Sequence, residues 1–327
     1  MTRSLNKIWV WLLLTALATS HARAAEYKKT AGPFEVGVFK AAWQDTNRTR
    51  ELPVKIYYPN TNGLFPVIIF SHGLGGSRDG YEYVGRHWAS HGYVCVHLQH
   101  AGSDDGVWRG KAGGMAGMRA AAADPRNAIA RPVDVTFALD QLAKLAVEPG
   151  PLEKHLDTNR IGMAGHSFGA NTTLTTVGQR FGVAEYKYQE PRIKAAIAMS
   201  APVPRLNAER SYDRITVPVY HLTGTKDDSP IGDTKPEQRR FPFDHITGAD
   251  QYLLILAGGD HMVFSGRSGL LGLRSKDAVF HELILMSTTA FWDAHLKGDA
   301  AAKQWIEDGG FKSALGEEGT FEIKRRQ

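Results

Sequence analysis

Continuous apolar runs and one amphipathic stretch define the first predicted unit of the chain. Residues 66–70 and 93–98 are largely apolar runs, as expected for strands that are covered on both faces of a sheet. Residues 81–91 between them have the apolar spacing of an amphipathic helix, and Gly92 follows as a stop signal. A strand, a helix and a second buried strand in this order predict a parallel crossover unit.

The same two patterns extend over most of the chain. Residues 34–38 and 54–59 alternate apolar and other residues, which is typical of half-exposed strands. Further buried strands are predicted at 160–164, 193–199, 217–222 and 252–256, and further helices at 131–145, 168–181 and 277–296. Strands and helices that alternate in this way predict an α/β class protein with a mainly parallel sheet of about eight strands and helices on both faces.

Two stretches show no such pattern. Residues 101–130 are rich in Gly, Ala and Asp, with Trp108, Met115 and Met118 scattered among them. A long stretch without structure is uncommon inside a compact domain unless it has a function, so we expect a cap or pocket loop there. The polar tail after Lys297 predicts nothing specific.

The most informative stretch is Gly165-His166-Ser167-Phe168-Gly169, which stands between a predicted strand and a predicted helix. This is the G-x-S-x-G pattern of a nucleophile elbow, in which a strained turn lifts the serine hydroxyl clear of the sheet. The strand and the helix pass so close together at such a turn that only glycine fits at its two ends. Ser167 is therefore the candidate nucleophile.

A serine is a weak nucleophile unless a base removes its proton, and a third group must orient that base. The strand at 252–256 is followed by Gly258-Gly259-Asp260-His261, which makes His261 the candidate base. The strand at 217–222 is followed by two carboxylates, Asp227 and Asp228. Asp227, three residues after a glycine, has the more usual spacing, and Asp228 remains the alternative acid.

The loop after the first buried strand, Ser71-His72-Gly73-Leu74-Gly75-Gly76, predicts an oxyanion hole. We expect the backbone N–H groups of Leu74 and Phe168 to form it, since the N-terminus of a helix favours negative charge. His72 and His166 are expected to make hydrogen bonds and packing contacts rather than to react. Trp108, Met262 and Phe264 are the candidate substrate-binding side chains.

No metal or cofactor is predicted. His97 and His100 stand three residues apart at a strand end, but no third group of ligands accompanies them. Cys95 is the only cysteine and lies in an apolar run, so we expect a buried and inert thiol.

The first residues predict export. Arg3 and Lys7 precede an apolar run at 8–18, and small residues stand at 22 and 24, so residues 1–24 are expected to be a signal peptide. The run is too short for a membrane anchor, which needs about 20 apolar residues. Loss of Arg3, Lys7 and Arg23 lowers the formal charge from +5 to +2, so neither nucleic acid nor an anionic membrane is an expected partner. Residues 25–327 are expected to form a single domain, exported to the periplasm or secreted.

Together these motifs resemble the α/β-hydrolases, and within them the platelet-activating-factor acetylhydrolase and dienelactone-hydrolase-like group. More distantly the chain is similar to cutinase-like polyester hydrolases. The resemblance rests on residues 70–75, 88–93 and 165–169. It implies the α/β-hydrolase fold and a cofactor-free serine hydrolase that acts on a small-molecule ester.

The chain departs from these relatives in several places. Dienelactone hydrolases use cysteine at the elbow, where this chain has Ser167. The acetylhydrolases take their acid from the strand after the elbow helix, but residues 195–202 hold no carboxylate. The polyester hydrolases commonly have Met at the position of Phe168 and a C-terminal disulfide, which one cysteine cannot form.

The favoured hypothesis is an exported esterase for short to medium acyl chains. An amidase or peptidase on the same triad is the alternative, and an inactive hydrolase fold used for binding is a third. The sequence leaves the natural substrate and the oligomeric state open.

Overall fold

A nine-stranded sheet runs through the protein in the computed structural model, which describes residues 27–204, 208–266 and 274–327. In chain order its strands are β1 Val36–Asp45, β2 Arg50–Pro59, β3 Phe65–Ser71, β4 Val94–Leu98, β5 Leu156–His166, β6 Ile193–Met199, β7 Val219–Lys226, β8 Gln251–Asp260 and β9 Gly319–Lys324. The predicted signal peptide at residues 1–24 lies outside the described residues.

The strand order across the sheet is β1-β2-β4-β3-β5-β6-β7-β8-β9. The six central strands, from β4 to β8, are parallel, and β1, β2 and β9 run antiparallel to their neighbours. The predicted α/β-hydrolase fold with a mainly parallel sheet is thus confirmed. β2 is more buried than its alternation predicts, because it lies between β1 and β4 and is not an edge strand.

Helices cover both faces of the sheet. They are α1 Glu82–Ser90, α2 Gly114–Ala123, α3 Pro125–Leu145, α4 Phe168–Val177, α5 Phe241–His245, α6 Asp277–Leu296, α7 Ala300–Glu307 and α8 Gly310–Leu315. Apolar side chains of α1 and α6 fill the core on one face, and those of α3 and α4 fill the core on the other. Among the described helices, none has the length and apolar character that crossing a bilayer requires.

Residues 101–130 are more ordered than predicted. A short 3₁₀ turn at Asp105–Val107 is followed by α2, and α3 begins at Pro125, six residues before its predicted start. The Asp124 side chain accepts a hydrogen bond from the N–H of Arg126 and so caps α3. The expectation of a structureless stretch was wrong because an Ala-rich segment forms a helix by propensity, without the apolar periodicity that reveals most helices.

The tail after Lys297 also has structure that its polar composition hides. It forms α7, α8 and β9, and β9 pairs with β8 as the ninth strand. Trp305, Phe311 and Phe321 from this tail are buried in the core with α6. The tail has few apolar side chains, but they are large. Its mostly polar composition therefore gave no indication of the strand that forms this edge of the sheet.

Candidate active site

The elbow between β5 and α4 places Ser167 at the carboxyl end of the central strands. Ser167 has φ 57° and ψ −116°, a strained conformation that L-amino acids rarely adopt. A Cβ atom at residue 165 would collide with the Gly169 carbonyl, and one at residue 169 would collide with the Ser71 carbonyl. Glycine is therefore required at both ends of the turn, for the close approach that the sequence predicts.

His166 connects the elbow to the candidate base. The Tyr81 hydroxyl lies 2.8 Å from Nδ1 of His166, and Nε2 of His166 lies 2.9 Å from the carbonyl oxygen of His261. Burial lowers the pKa of His166 well below its usual range, so the ring is neutral. It accepts from Tyr81 at Nδ1 and donates to the backbone of His261 at Nε2, which holds that residue against the elbow.

The two candidate acids occupy very different positions. Oδ1 of Asp227 lies 2.7 Å from Nδ1 of His261, and the hydroxyl of Thr223 donates to Oδ2 over 2.8 Å. Asp227 is completely buried. The side chain of Asp228 is 63% exposed and pairs with Lys235 at 3.0 Å. Of the two carboxylates, Asp227 alone contacts the imidazole.

Arg239, which the sequence reading missed, lies behind this pair. It is 2% exposed, and it donates to the carbonyl oxygens of Asp227 at 3.1 Å and Ser200 at 2.8 Å. Its Nε is also 3.4 Å from Oδ1 of Asp227. One guanidinium thus connects the end of β6 to the loop that carries the acid. Ser200, the residue directly after β6, has φ 54°. No motif marks Arg239, since it follows a polar stretch of the connection between β7 and β8.

The N–H groups of Leu74 and Phe168 are the two candidate donors of the oxyanion hole. The Gly73 carbonyl accepts from Nδ1 of His72 at 2.6 Å and from the N–H of Gly76 at 3.1 Å. Because the peptide is trans and planar, the N–H of Leu74 points the opposite way. Within the described ranges, neither this N–H nor that of Phe168 has an acceptor. Both donors are therefore available to a ligand.

The candidate substrate-binding residues divide into two groups. Trp108 is 40% exposed and its indole N–H donates to the Gly75 carbonyl at 2.7 Å, so an accessible ring borders the oxyanion loop. Met262 is half-buried. Phe264 is fully buried, and its ring packs 6.1 Å from that of His166. The expectation for Phe264 is corrected: it supports the elbow from within the core and does not line open space.

The remaining candidate ligands are engaged elsewhere. Both ring nitrogens of His100 are hydrogen-bonded, to Asp134 and to Ser71, and Nδ1 of His97 lies 3.1 Å from the Gly80 carbonyl. In the part of the chain that the structure describes, no group of three or more His, Cys, Asp or Glu residues could hold a metal ion. Burial raises the pKa of the Cys95 thiol, in keeping with an inert side chain.

Two family models match the chain. The model described as "Platelet-activating factor acetylhydrolase, isoform II" matches residues 60–105, which include the oxyanion loop. The model described as "PET hydrolase-like" matches residues 119–275, which include Ser167, Asp227 and His261.

Curated relatives fall into the same two groups. Cutinase est2 of Thermobifida alba is 25% identical over 223 residues, which are 67% of this chain and 60% of the relative. Platelet-activating factor acetylhydrolase of Cavia porcellus is 23% identical over 304 residues, 78% of this chain and 63% of the relative. The enzyme of that name from Bos taurus is 23% identical over 197 residues, 51% of this chain and 41% of the relative. The chain thus spans less than two thirds of the length of each. The sheet order, the elbow and these matches show the α/β-hydrolase fold and a resemblance to the platelet-activating-factor acetylhydrolases and cutinases.

Proposed function

We propose that the protein is a serine hydrolase that cleaves carboxylic esters of short to medium acyl chains through an acyl-enzyme. The observation that carries this proposal is the 2.7 Å contact between Asp227 and His261, beside an elbow that holds Ser167 in a strained turn. The names of the relatives, cutinase and platelet-activating factor acetylhydrolase, point to the same class of bond.

In the proposed reaction, Oγ of Ser167 attacks the ester carbonyl carbon while Nε2 of His261 takes the hydroxyl proton. The carbonyl oxygen becomes an oxyanion that accepts hydrogen bonds from the N–H groups of Leu74 and Phe168. The intermediate then expels the alcohol, which receives the proton from His261. Water repeats the sequence on the acyl-enzyme and releases the acid. Asp227 holds the proton of the imidazole on Nδ1, so that Nε2 is free to accept.

We assign the acyl side of the site to an apolar wall that includes Trp108 and Met262. The wall is supported by the exposure of the Trp108 ring and by its hydrogen bond to the oxyanion loop. In Trp108→Ala, KM for p-nitrophenyl hexanoate should rise by roughly tenfold, since loss of apolar contact to a few methylenes has this effect. The acetate ester, whose acyl group ends in a single methyl, serves as the internal control. An equal change for both esters would contradict the assignment.

The proposed function is tested with p-nitrophenyl esters from acetate to decanoate, alongside aminoacyl anilides. We expect the wild type to hydrolyse the esters and to be labelled at Ser167 by a fluorophosphonate. We expect Ser167→Ala to lose ester turnover. Faster turnover of the anilides would favour the amidase alternative. If the wild-type protein is not labelled and hydrolyses neither the esters nor the anilides, the result would favour an inactive hydrolase fold that is used for binding.

Export is part of the proposal and rests on the predicted signal peptide at residues 1–24. Expression of the full chain should yield an extracytoplasmic protein whose first residue is Ala25. Mass spectrometry of the intact purified protein measures this directly, and a protein that retains Met1 and stays inside the cell would refute it.

A further inference from the structure

A buried arginine on α3 contacts both pieces of chain that carry the oxyanion donors. Arg131 is 0% exposed. Its Nη1 donates to the carbonyl oxygen of His72 at 2.7 Å, and its Nε donates to Oγ of Ser103 at 3.0 Å. Its Cζ lies 4.3 Å from the centre of the Phe168 ring. The oxyanion loop and the first residue of α4 therefore rest on one guanidinium.

The peptide between His72 and Gly73 is held at both ends. Arg131 binds its carbonyl oxygen, and on the other side its N–H donates to the Tyr81 hydroxyl at 3.2 Å. The next peptide in the chain carries the N–H of Leu74. Since planar peptides leave only two soft torsions between them, fixing the first peptide restricts the direction of the second.

A second chain of hydrogen bonds supports the arginine. Oγ of Ser71 lies 2.9 Å from Nε2 of His100, and Nδ1 of His100 lies 2.9 Å from Oδ2 of Asp134. Burial lowers the pKa of His100 to about 4, so the ring is neutral, donates to Asp134 and accepts from the Ser71 hydroxyl. The oxygen of Ser71 is then free to accept from Nη1 of Arg131 at 3.3 Å. This relay has the connectivity of a catalytic triad, but all three members are fully buried, so it can hold a loop and cannot reach a substrate.

The charge of Arg131 is left uncompensated by direct contacts. Asp134, the nearby acid, already accepts from Arg48, Arg50 and His100. Within the described ranges, every group that accepts a hydrogen bond from Arg131 is neutral. A buried cation without a paired carboxylate is costly, and in a low-dielectric site it interacts strongly with negative charge that develops nearby.

We propose that Arg131 is a positioning residue of the oxyanion hole, which orients the Leu74 and Phe168 donors and favours negative charge on the reacting carbonyl oxygen. The inference rests on the proposed function. Since the oxyanion exists only in the tetrahedral intermediate, the effect falls on kcat and leaves KM almost unchanged.

The test compares Arg131→Met, which removes the charge, with Arg131→Lys, which keeps it but loses the forked hydrogen bonds. Arg126→Met, at an exposed position of the same helix, is the matched control. We expect kcat for p-nitrophenyl butyrate to fall by roughly 10²- to 10³-fold in Arg131→Met, as for loss of an oxyanion-hole donor. Affinity for a trifluoromethyl ketone, which forms a tetrahedral adduct, should fall by a similar factor. Arg131→Lys should recover at least tenfold of the lost kcat.

Several results would overturn the inference. The inference is wrong if Arg131→Met folds and keeps kcat within about threefold of the wild type. It is also wrong if the loss of activity is due to a raised KM alone, or if a folded Arg131→Lys recovers none of the lost kcat. If neither Arg131 variant folds, Ser103→Ala provides the test, because it removes one hydrogen-bond partner of the guanidinium. We expect this variant to lower kcat severalfold at constant KM. An unchanged kcat would refute the positioning role of Arg131. A wild type that turns over no ester would instead refute the proposed function.

Discussion

The clearest test of the triad is the pair of variants Asp227→Asn and Asp228→Asn. Asparagine has the shape of aspartate, so each variant changes charge and hydrogen bonding with little change in volume. At position 227 the new amide can donate to Nδ1 of His261 where the carboxylate accepted from it. This favours the tautomer with its proton on Nε2, which cannot accept the proton of Ser167.

The structure sets the size of the expected effect. Asp227 is fully buried, 2.7 Å from the imidazole, and cannot be replaced by water. Loss of the orienting acid lowers turnover by ~10⁴ in serine proteases, which corresponds to about 5.5 kcal/mol of transition-state stabilisation. Asp228 is mainly exposed and contacts Lys235, and exposed ion pairs contribute little, so Asp228→Asn should stay within about twofold of the wild type.

The assay is kcat/KM for p-nitrophenyl butyrate, with thermal unfolding to show that both variants fold. Thr223 can still contact an asparagine at 227, since its hydroxyl can accept from an amide as well as donate to it. Equal mild losses in both variants, or the larger loss in Asp228→Asn, would refute the assignment of Asp227 as the acid.

The remaining predictions concern stability and the frame of the site. Gly169→Ala should prevent folding or abolish ester turnover, because its methyl group would collide with the carbonyl of Ser71. Gly150→Ala is the control: its methyl group has open space, so the temperature of thermal unfolding should not change. Arg239→Met should lower the free energy of unfolding by roughly 3 kcal/mol, since it leaves two buried carbonyls unsatisfied; urea denaturation measures this, and an equal loss in the partly exposed Arg240→Met would contradict it. Burial lowers the pKa of four histidines to about 4: His97, His100, His221 and His295. Because these pKa values are lower in the folded state than the usual 6.5, their contribution to stability is complete above pH 6.5 and is lost as the pH falls through 4, by up to roughly 3 kcal/mol each. Urea denaturation from pH 8 to pH 4 should show this decline, and a flat profile would contradict it.

Local patterns in the sequence were enough to predict the α/β class, the elbow and the chain order of the candidate nucleophile, acid and base. These features depend on local patterns: apolar runs that form buried strands, glycines at a turn, and polar residues directly after strands. The same patterns could not reveal α2 or β9, because an Ala-rich helix has no apolar stripe and β9 is a short edge strand in which only Phe321 is buried.

Which of two adjacent carboxylates contacts the imidazole depended on the fold of distant segments. Asp227 and Asp228 are neighbours in sequence, but successive side chains leave the backbone in different directions, and packing buries one and exposes the other. Arg131 and Arg239 were missed for a related reason, since their partners come from distant segments. One signal for Arg131 was present: it shares the helix face of Val135, Ala138 and Leu142, and an arginine on a buried face needs polar partners that only the folded chain can bring to it.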